Sequence, residues 1–249
     1  MHKISKDPIA SHILNANVVD WHFNMKSSSF EHIIRDEEQI IANYQPHILS
    51  VFLSSPTPEH INLFIKAGFE FIQCRLAIEK TISSQHFNLY PFELVEITEQ
   101  KQFNDLLLLC KRIVFDDRYS IDLLIKPAKA LERNMYFLKE AFEKKDQFVF
   151  LLINRTQNAI CGFRSFKVVK NHTASMLLTG ITKKDNLFDY AQIISFLELK
   201  ALNDLNISKV NSVVSVNNFE EINRYIGELG YKVTNSNTVL RKIYNFRNI

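Results

Sequence analysis

Asp116, Asp117 and Asp122 flank Arg118 in the segment FDDRYSID. Carboxylates gathered around one guanidinium suit two roles. They can form a capped, salt-bridged turn between helices, or an acceptor site for an amine in which Arg118 and Asp122 touch the substrate. Further along, Asn218, Arg224 and Tyr225 follow an apolar run, at the start of a helical pattern and just inside it. Tyr225 offers a phenol, whose ordinary pKa is near 10. The plainer readings stand beside these: Asn218 as a helix N-cap, Arg224 as a solvated cation, Tyr225 as a packing residue.

Other chemistries find no foothold. The sequence has no HExxH, no GxSxG and no phosphate-binding P-loop. The eight His are scattered without metal spacing, and no metal is expected. His60, His86 and His172 read as surface or loop residues. Cys74, Cys110 and Cys161 form no CxxC pair, and their odd count argues against a disulfide framework; they read as buried, reduced thiols. Thirty basic residues nearly balance 27 acidic ones, for a net charge of +3, so nucleic acid is not an expected partner. No stretch approaches the roughly 20 apolar residues of a membrane span, and the N-terminus shows no apolar run of signal-peptide length. A cytoplasmic protein, monomeric or homodimeric, is the expectation.

The elements that must position these residues follow from hydrophobic period. With only five Gly and six Pro, long linkers are not expected. Residues 47–55 form an apolar, β-branched strand signal that stops at Ser-Pro. A helix follows over residues 59–69, with Ile61, Phe64 and Ile65 on one face and Gly68 at its C-terminal end. Residues 70–80 give a second strand, completing a β-α-β unit. Residues 81–92 are polar and aperiodic and read as the connection between two parts of the chain. The remainder reads α-α-β-β-β-α-β-α-β. Helices fall near 99–115 and 128–143, strands at 147–154, 159–169 and 174–182, and a helix at 190–205. A strand at 207–216, a helix ending at Gly230 and a closing strand near 238–244 complete it. This order predicts a mixed sheet with helices on both faces, and a right-handed parallel crossover from residue 174 to 216.

The segment VNSVVSVNNFEEINRYIGELGY, with this order of elements, resembles the GNAT (Gcn5-related) N-acetyltransferases. The shared pattern is a hydrophobic strand, then Asn218, then a helix with Arg224, Tyr225 and Ile226, then Gly230-Tyr231. Within that family the chain looks most like the bacterial dTDP-fucosamine acetyltransferases. FDDRYSID is similar to the stretch that opens their catalytic domain, and KAGFEFIQCRLAIEK is similar to the end of their partial N-terminal domain. The resemblance implies an α/β (α+β) fold with residues 1–90 as a partial GNAT-like subdomain and 91–249 as the acyltransferase domain.

It also implies acetyl-CoA, or another acyl-CoA, as co-substrate and a small-molecule amine as acceptor, with an amino sugar nucleotide as the named class. In the family a splayed gap beside the 174–182 strand accepts the pantetheine arm through backbone hydrogen bonds. Leu178, Thr179, Gly180 and Ile181 are then the expected contact points. Tyr225 would protonate the departing sulfur, and Asn218 and Arg224 would hold the coenzyme. The family's glycine-rich pyrophosphate turn maps onto Lys183, Lys184, Asn186, Leu187, Phe188, Asp189 and Tyr190, where no glycine occurs. There is also one extra residue between Tyr225 and Gly230. These departures keep an alternative in view: a non-catalytic GNAT-fold protein that binds a ligand or partner.

Overall fold

The computed structural model describes residues 3–23, 29–83, 89–113, 115, 117–170, 172–182 and 189–244. In chain order the first part comprises β1 (Lys3–Lys6), α1 (Pro8–Leu14), β2 (Val18–Phe23), α2 (Phe30–Tyr44), β3 (Ile48–Ser54), α3 (Pro58–Lys66) and β4 (Glu70–Thr81). Then come β5 (Phe92–Glu96), α4 (Gln100–Cys110), α5 (Arg118–Ile121), α6 (Pro127–Glu143), β6 (Gln147–Asn154), β7 (Ala159–Lys170) and β8 (Thr173–Ile181). The chain closes with α7 (Tyr190–Asp204), β9 (Lys209–Ser215), α8 (Phe219–Ile222), a π-helical turn (Asn223–Glu228) and β10 (Lys232–Ile243).

The ten strands among the described residues join in one sheet, ordered β1-β2-β3-β10-β4-β9-β8-β7-β6-β5. The predicted β-α-β unit is present, and its two strands are parallel with β10 inserted antiparallel between them. The last strand thus ties the ends of the chain together through the middle of the sheet. The expected parallel crossover is the β8–α7–β9 segment.

Local signals explain most boundaries. Thr57 caps α3 through its hydroxyl, with His60 reciprocating, and Gly68 follows the helix at φ +86°, a backbone conformation that favours glycine. On β7 the pleat sends Phe163 to one face, against Leu106 and Leu138 of α4 and α6. It sends Phe166 to the other, against Leu199 and Leu202 of α7. Helices therefore cover both faces of the central strands, as predicted. A third cluster, built on Trp21, Leu49 and Phe64, packs α2 and α3 onto the N-terminal strands. Each fully buried aromatic of this kind contributes roughly 1.5–3 kcal/mol.

A buried ion network joins the N-terminal strands to α5. Arg118 bonds both carboxylate oxygens of Asp20 at 3.0 Å and reaches Asp7 at 3.1 Å. Asp7 also caps α1 by accepting from the Ala10 amide at 2.9 Å, and it accepts from the Tyr119 hydroxyl at 2.6 Å. Burial acts to raise the Asp7 carboxyl. The Tyr119 hydroxyl, the Ala10 amide and the Arg133 and Arg118 guanidiniums outweigh it and hold the group below the ordinary carboxylate range. A depressed folded-state pKa adds stability that is fully present above the unfolded value of about 4 and is lost as pH falls through the folded value. In Asp7→Asn the helix cap is kept and the charge is lost. Urea unfolding from pH 7 down to 3 should show a shallower acid decline for this variant than for the wild type.

Candidate functional site

Strands β8 and β9 pair over only three positions: Thr173 with Lys209, Ala174 with Val210 and Ser175 with Asn211. Beyond them β8 stays bonded to β7 as far as Ile181, and β9 stays bonded to β4 as far as Ser215. The two inner edges, from Met176 and Ser212 onward, are not bonded to each other. A cavity of about 490 Å³ opens between them, lined by residues 176–181 on one side and by Ser212, Val213 and Ser215 on the other. Unpaired strand edges carry backbone donors and acceptors that must be met by solvent or by a ligand.

The β8 wall is irregular by construction. Its register against β7 slips between the pairs Arg164–Thr179 and Phe166–Met176, leaving a bulge at Leu177 and Leu178. The buried Ser165 hydroxyl fills the missing place: it accepts from the Leu178 N–H at 3.0 Å and donates to the Leu178 carbonyl at 3.1 Å. Gly180 is required by close approach, since a Cβ there would lie 2.5 Å from the Phe163 ring and 2.7 Å from Ile113.

Tyr225 lines the cavity and is only 2% exposed. The helix predicted to carry it is not continuous: α8 passes after one turn into the π-helical segment. There the Leu229 N–H bonds the Arg224 carbonyl at 2.9 Å and the Tyr231 N–H bonds the Tyr225 carbonyl at 2.8 Å. A π turn takes up one additional residue without unwinding its neighbours. This accounts for the extra position between Tyr225 and Gly230, whose φ of +71° then ends the segment.

The phenol is not isolated. Arg164, on β7, donates to the Tyr225 hydroxyl and forms an ion pair with Glu198 of α7, both at close range. Its Nη2 also lies 2.7 Å from the Met176 sulfur. Arg164 and Glu198 are 3% and 1% exposed. Burial would lower the Arg164 guanidinium, but the Glu198 carboxylate and Tyr225 outweigh it and keep the group charged. Burial pushes Glu198 upward against the pull of Arg164. Burial also pushes the Tyr225 phenol up to about 12, with Arg164 opposing, so the hydroxyl keeps its proton at neutral pH.

Other predicted residues are distributed as follows. Leu178, Thr179, Gly180, Ile181, Asn218 and Arg224 all line the cavity with Tyr225. Asn218 caps α8, accepting from the Glu221 amide at 3.1 Å. Asp189 caps α7, accepting from the Ala191 and Gln192 amides at 3.1 Å each, and Tyr190 is buried edge-on against Phe92. Lys183, Lys184, Asn186, Leu187 and Phe188 lie outside the described residues. Arg118 and Asp122 do not line the cavity. Arg118 belongs to the Asp7–Asp20 network, and Asp122 faces Arg241 at 3.3 Å. The sequence reading missed Arg164, Glu198, Gln73 and Arg75; the last two line the cavity from β4. Among the described residues no cluster of metal-ligating side chains occurs, and no helix is long and apolar enough to cross a membrane. Burial raises the Cys110 thiol to about 12, far from the range of a reactive thiolate.

The buried pair makes a stability prediction. Arg164→Met strands the Glu198 charge and should cost about 3–5 kcal/mol in urea unfolding. The double variant Arg164→Met/Glu198→Leu should recover most of that loss, because neither charge is left alone.

No protein-family model matches the chain, and no curated protein matches it in sequence. Solved structures do match in shape. A functionally unknown conserved protein from Staphylococcus epidermidis superposes with a TM-score of 0.64 at 12% identity, covering 92% of this chain and 85% of its own. A GCN5-related N-acetyltransferase from Sphaerobacter thermophilus gives 0.64 at 9% identity, covering 97% and 76%. A tandem GNAT protein from the clavulanic acid biosynthesis pathway gives 0.57 at 10% identity, covering 92% and 78%. The mixed sheet, its flanking helices and these likenesses establish that the chain has the fold of the GCN5-related N-acetyltransferases.

Proposed function

We propose that this protein is an N-acyltransferase that moves an acetyl or other acyl group from an acyl-coenzyme A to the amine of a small molecule. The observation that carries the reading is the parting of β8 from β9 over a cavity with the Tyr225 phenol in its wall. Aminolysis of a thioester forms a carbon–nitrogen bond and breaks a carbon–sulfur bond. The amine loses a proton and the departing thiolate gains one. Backbone groups of Thr179, Gly180 and Ile181 are suited to hold an extended amide-bearing arm by strand-like hydrogen bonds, whereas those of Leu178 are taken by the Ser165 hydroxyl. Tyr225 holds the proton for the sulfur. Arg164, donating to the same oxygen, offsets the negative charge left when that proton departs. Asn218 and Arg224 would hold the coenzyme at the rim.

In this reading residues 91–249 form the acyltransferase domain and residues 1–90 shape the acceptor side, since Gln73 and Arg75 of β4 reach the same cavity. Arg118 would serve the acceptor wall from behind, while Asp122, paired with Arg241, would take no direct part. Arg118 bonds the Tyr119 hydroxyl, whose ring lies 4.2 Å from the Arg133 guanidinium. The resemblance in sequence makes an amino sugar nucleotide the first acceptor to try and the cytoplasm the place to look.

One observation favours a second reading, a binding protein without catalysis. The α7 N-terminus, where the fold would seat a pyrophosphate, is capped by the Asp189 carboxylate, an anion where an anion is to bind.

Two measurements separate the readings. Acetyl-CoA at about 100 times its Kd should stabilise an acyltransferase by about 2.7 kcal/mol, seen as a rise in melting temperature. Tyr225→Phe should then lower kcat by about 10²-fold or more while the acetyl-CoA shift is retained. A melting curve unmoved by millimolar acetyl-CoA would sink the enzyme reading.

A further inference from the structure

Two side chains of β4 line the cavity without a side-chain hydrogen bond or ion pair among the described residues. Gln73 is 1% exposed, and its Oε1 has no hydrogen-bond partner. Arg75 is two residues on, hence on the same face of the strand. It lines the same cavity, and its Nε is likewise buried and unpartnered. The Arg75 guanidinium sits 5.5 Å over the Phe52 ring and forms no ion pair among the described residues. Arg133 of α6 lines this wall too, but its guanidinium already donates to Asn134 Oδ1 at 3.1 Å and lies 3.7 Å from Asp7. Asp117 is also on the wall, but its carboxylate already accepts from the Ser120 hydroxyl at 2.6 Å and the Asn134 amide at 2.7 Å.

The Asp20 and Asp117 carboxylates act on the Arg75 charge from a distance but do not bond it. A half-buried guanidinium that lines a cavity without a bonded partner is suited to an anionic group that a ligand brings with it. Of these groups Gln73 and Arg75 are the ones without a side-chain hydrogen bond among the described residues, whereas Arg133 and Asp117 are already engaged.

We propose that the wall formed by Gln73, Arg75 and Arg133 receives the acyl acceptor, and that this acceptor is an amine also carrying a carboxylate or phosphate. Arg75 takes the anionic group in a charge-assisted hydrogen bond, with Arg133 as the second cation. The Gln73 amide meets a polar group of the substrate beside it. The inference rests on the acyl-transfer reading for the word acceptor, but the anion site itself does not require coenzyme.

The test is calorimetric titration of the full-length protein, without coenzyme, using two matched pairs of probes. β-Alanine against β-alaninamide tests the carboxylate, and phosphoethanolamine against ethanolamine tests the phosphate. In at least one pair the anionic member should bind about tenfold more tightly or better, and that pair names the anion. The preference should vanish in Arg75→Met and persist in part in Arg75→Lys. Arg75→Met should keep a cooperative melting curve, so that its loss of preference is read on folded protein. Equal binding within both pairs, or a preference that survives Arg75→Met, would each overturn the proposal. Acetyl-CoA is titrated separately. If it fails to bind while the anion preference stands, the acyl-transfer reading fails and the anion site survives. If it binds and the preference is absent, the reverse holds.

Discussion

Two neighbouring strands that stop pairing after three residues leave a row of backbone donors and acceptors facing open space, and the architecture is arranged around that exposure. Each strand is held firmly on its outer side. β8 keeps its ladder with β7, and β9 keeps its ladder with β4. Only the inner edges part, so the opening is a fixed feature of a rigid sheet rather than a frayed end. The bulge at Leu177 and Leu178, patched by the Ser165 hydroxyl, turns the β8 wall without leaving the Leu178 backbone unsatisfied on the β7 side.

Charge buried beside the opening is the second constraint. Arg164 is closed in by Glu198, Tyr225 and Met176, and a cationic group so placed is kept in check only by the carboxylate behind it. The arrangement couples three elements, β7, α7 and the π-helical turn, at the phenol. The Arg118 network does similar work farther out, where Asp7, Asp20 and Tyr119 lock the N-terminal strands to α5. Arg75 shares the Phe52 ring with Arg118 and feels Asp20 and Asp117, but it forms no ion pair with either among the described residues.

Much of the C-terminal part was legible because its strands are long and apolar and its helices are strongly periodic. β6 has the bounds that its run of Phe, Val, Leu and Ile predicts. The first 46 residues were not read. β1 is four residues of mixed polarity, but β2 alternates buried Val19, Trp21 and Phe23 with Asp20 and His22, the period of a half-buried strand that the sequence did carry. What the sequence could not show is the partner of Asp20, Arg118, 98 positions away. α2 did leave a signal, with Ser29 as cap and Ile33 and Ile40 one heptad apart on its buried face. At the site, Tyr225, Asn218 and the β8 wall came from the resemblance. Arg164 sat unnoticed in GFRSF because its role depends on Glu198 and Tyr225, 34 and 61 residues distant. The extra residue before Gly230 was visible as a count, and only the backbone shows it taken up as a π turn.

The central claim is that the inner edge of β8 is left free for an acyl-coenzyme A arm to pair with. Hydrogen exchange at the amides of residues 177–181, followed with and without acetyl-CoA, tests it most directly. The account predicts marked slowing there on addition of acetyl-CoA, with amides on the β7 ladder such as Phe163 little changed. Exchange at residues 177–181 that is the same with and without saturating acetyl-CoA would contradict it.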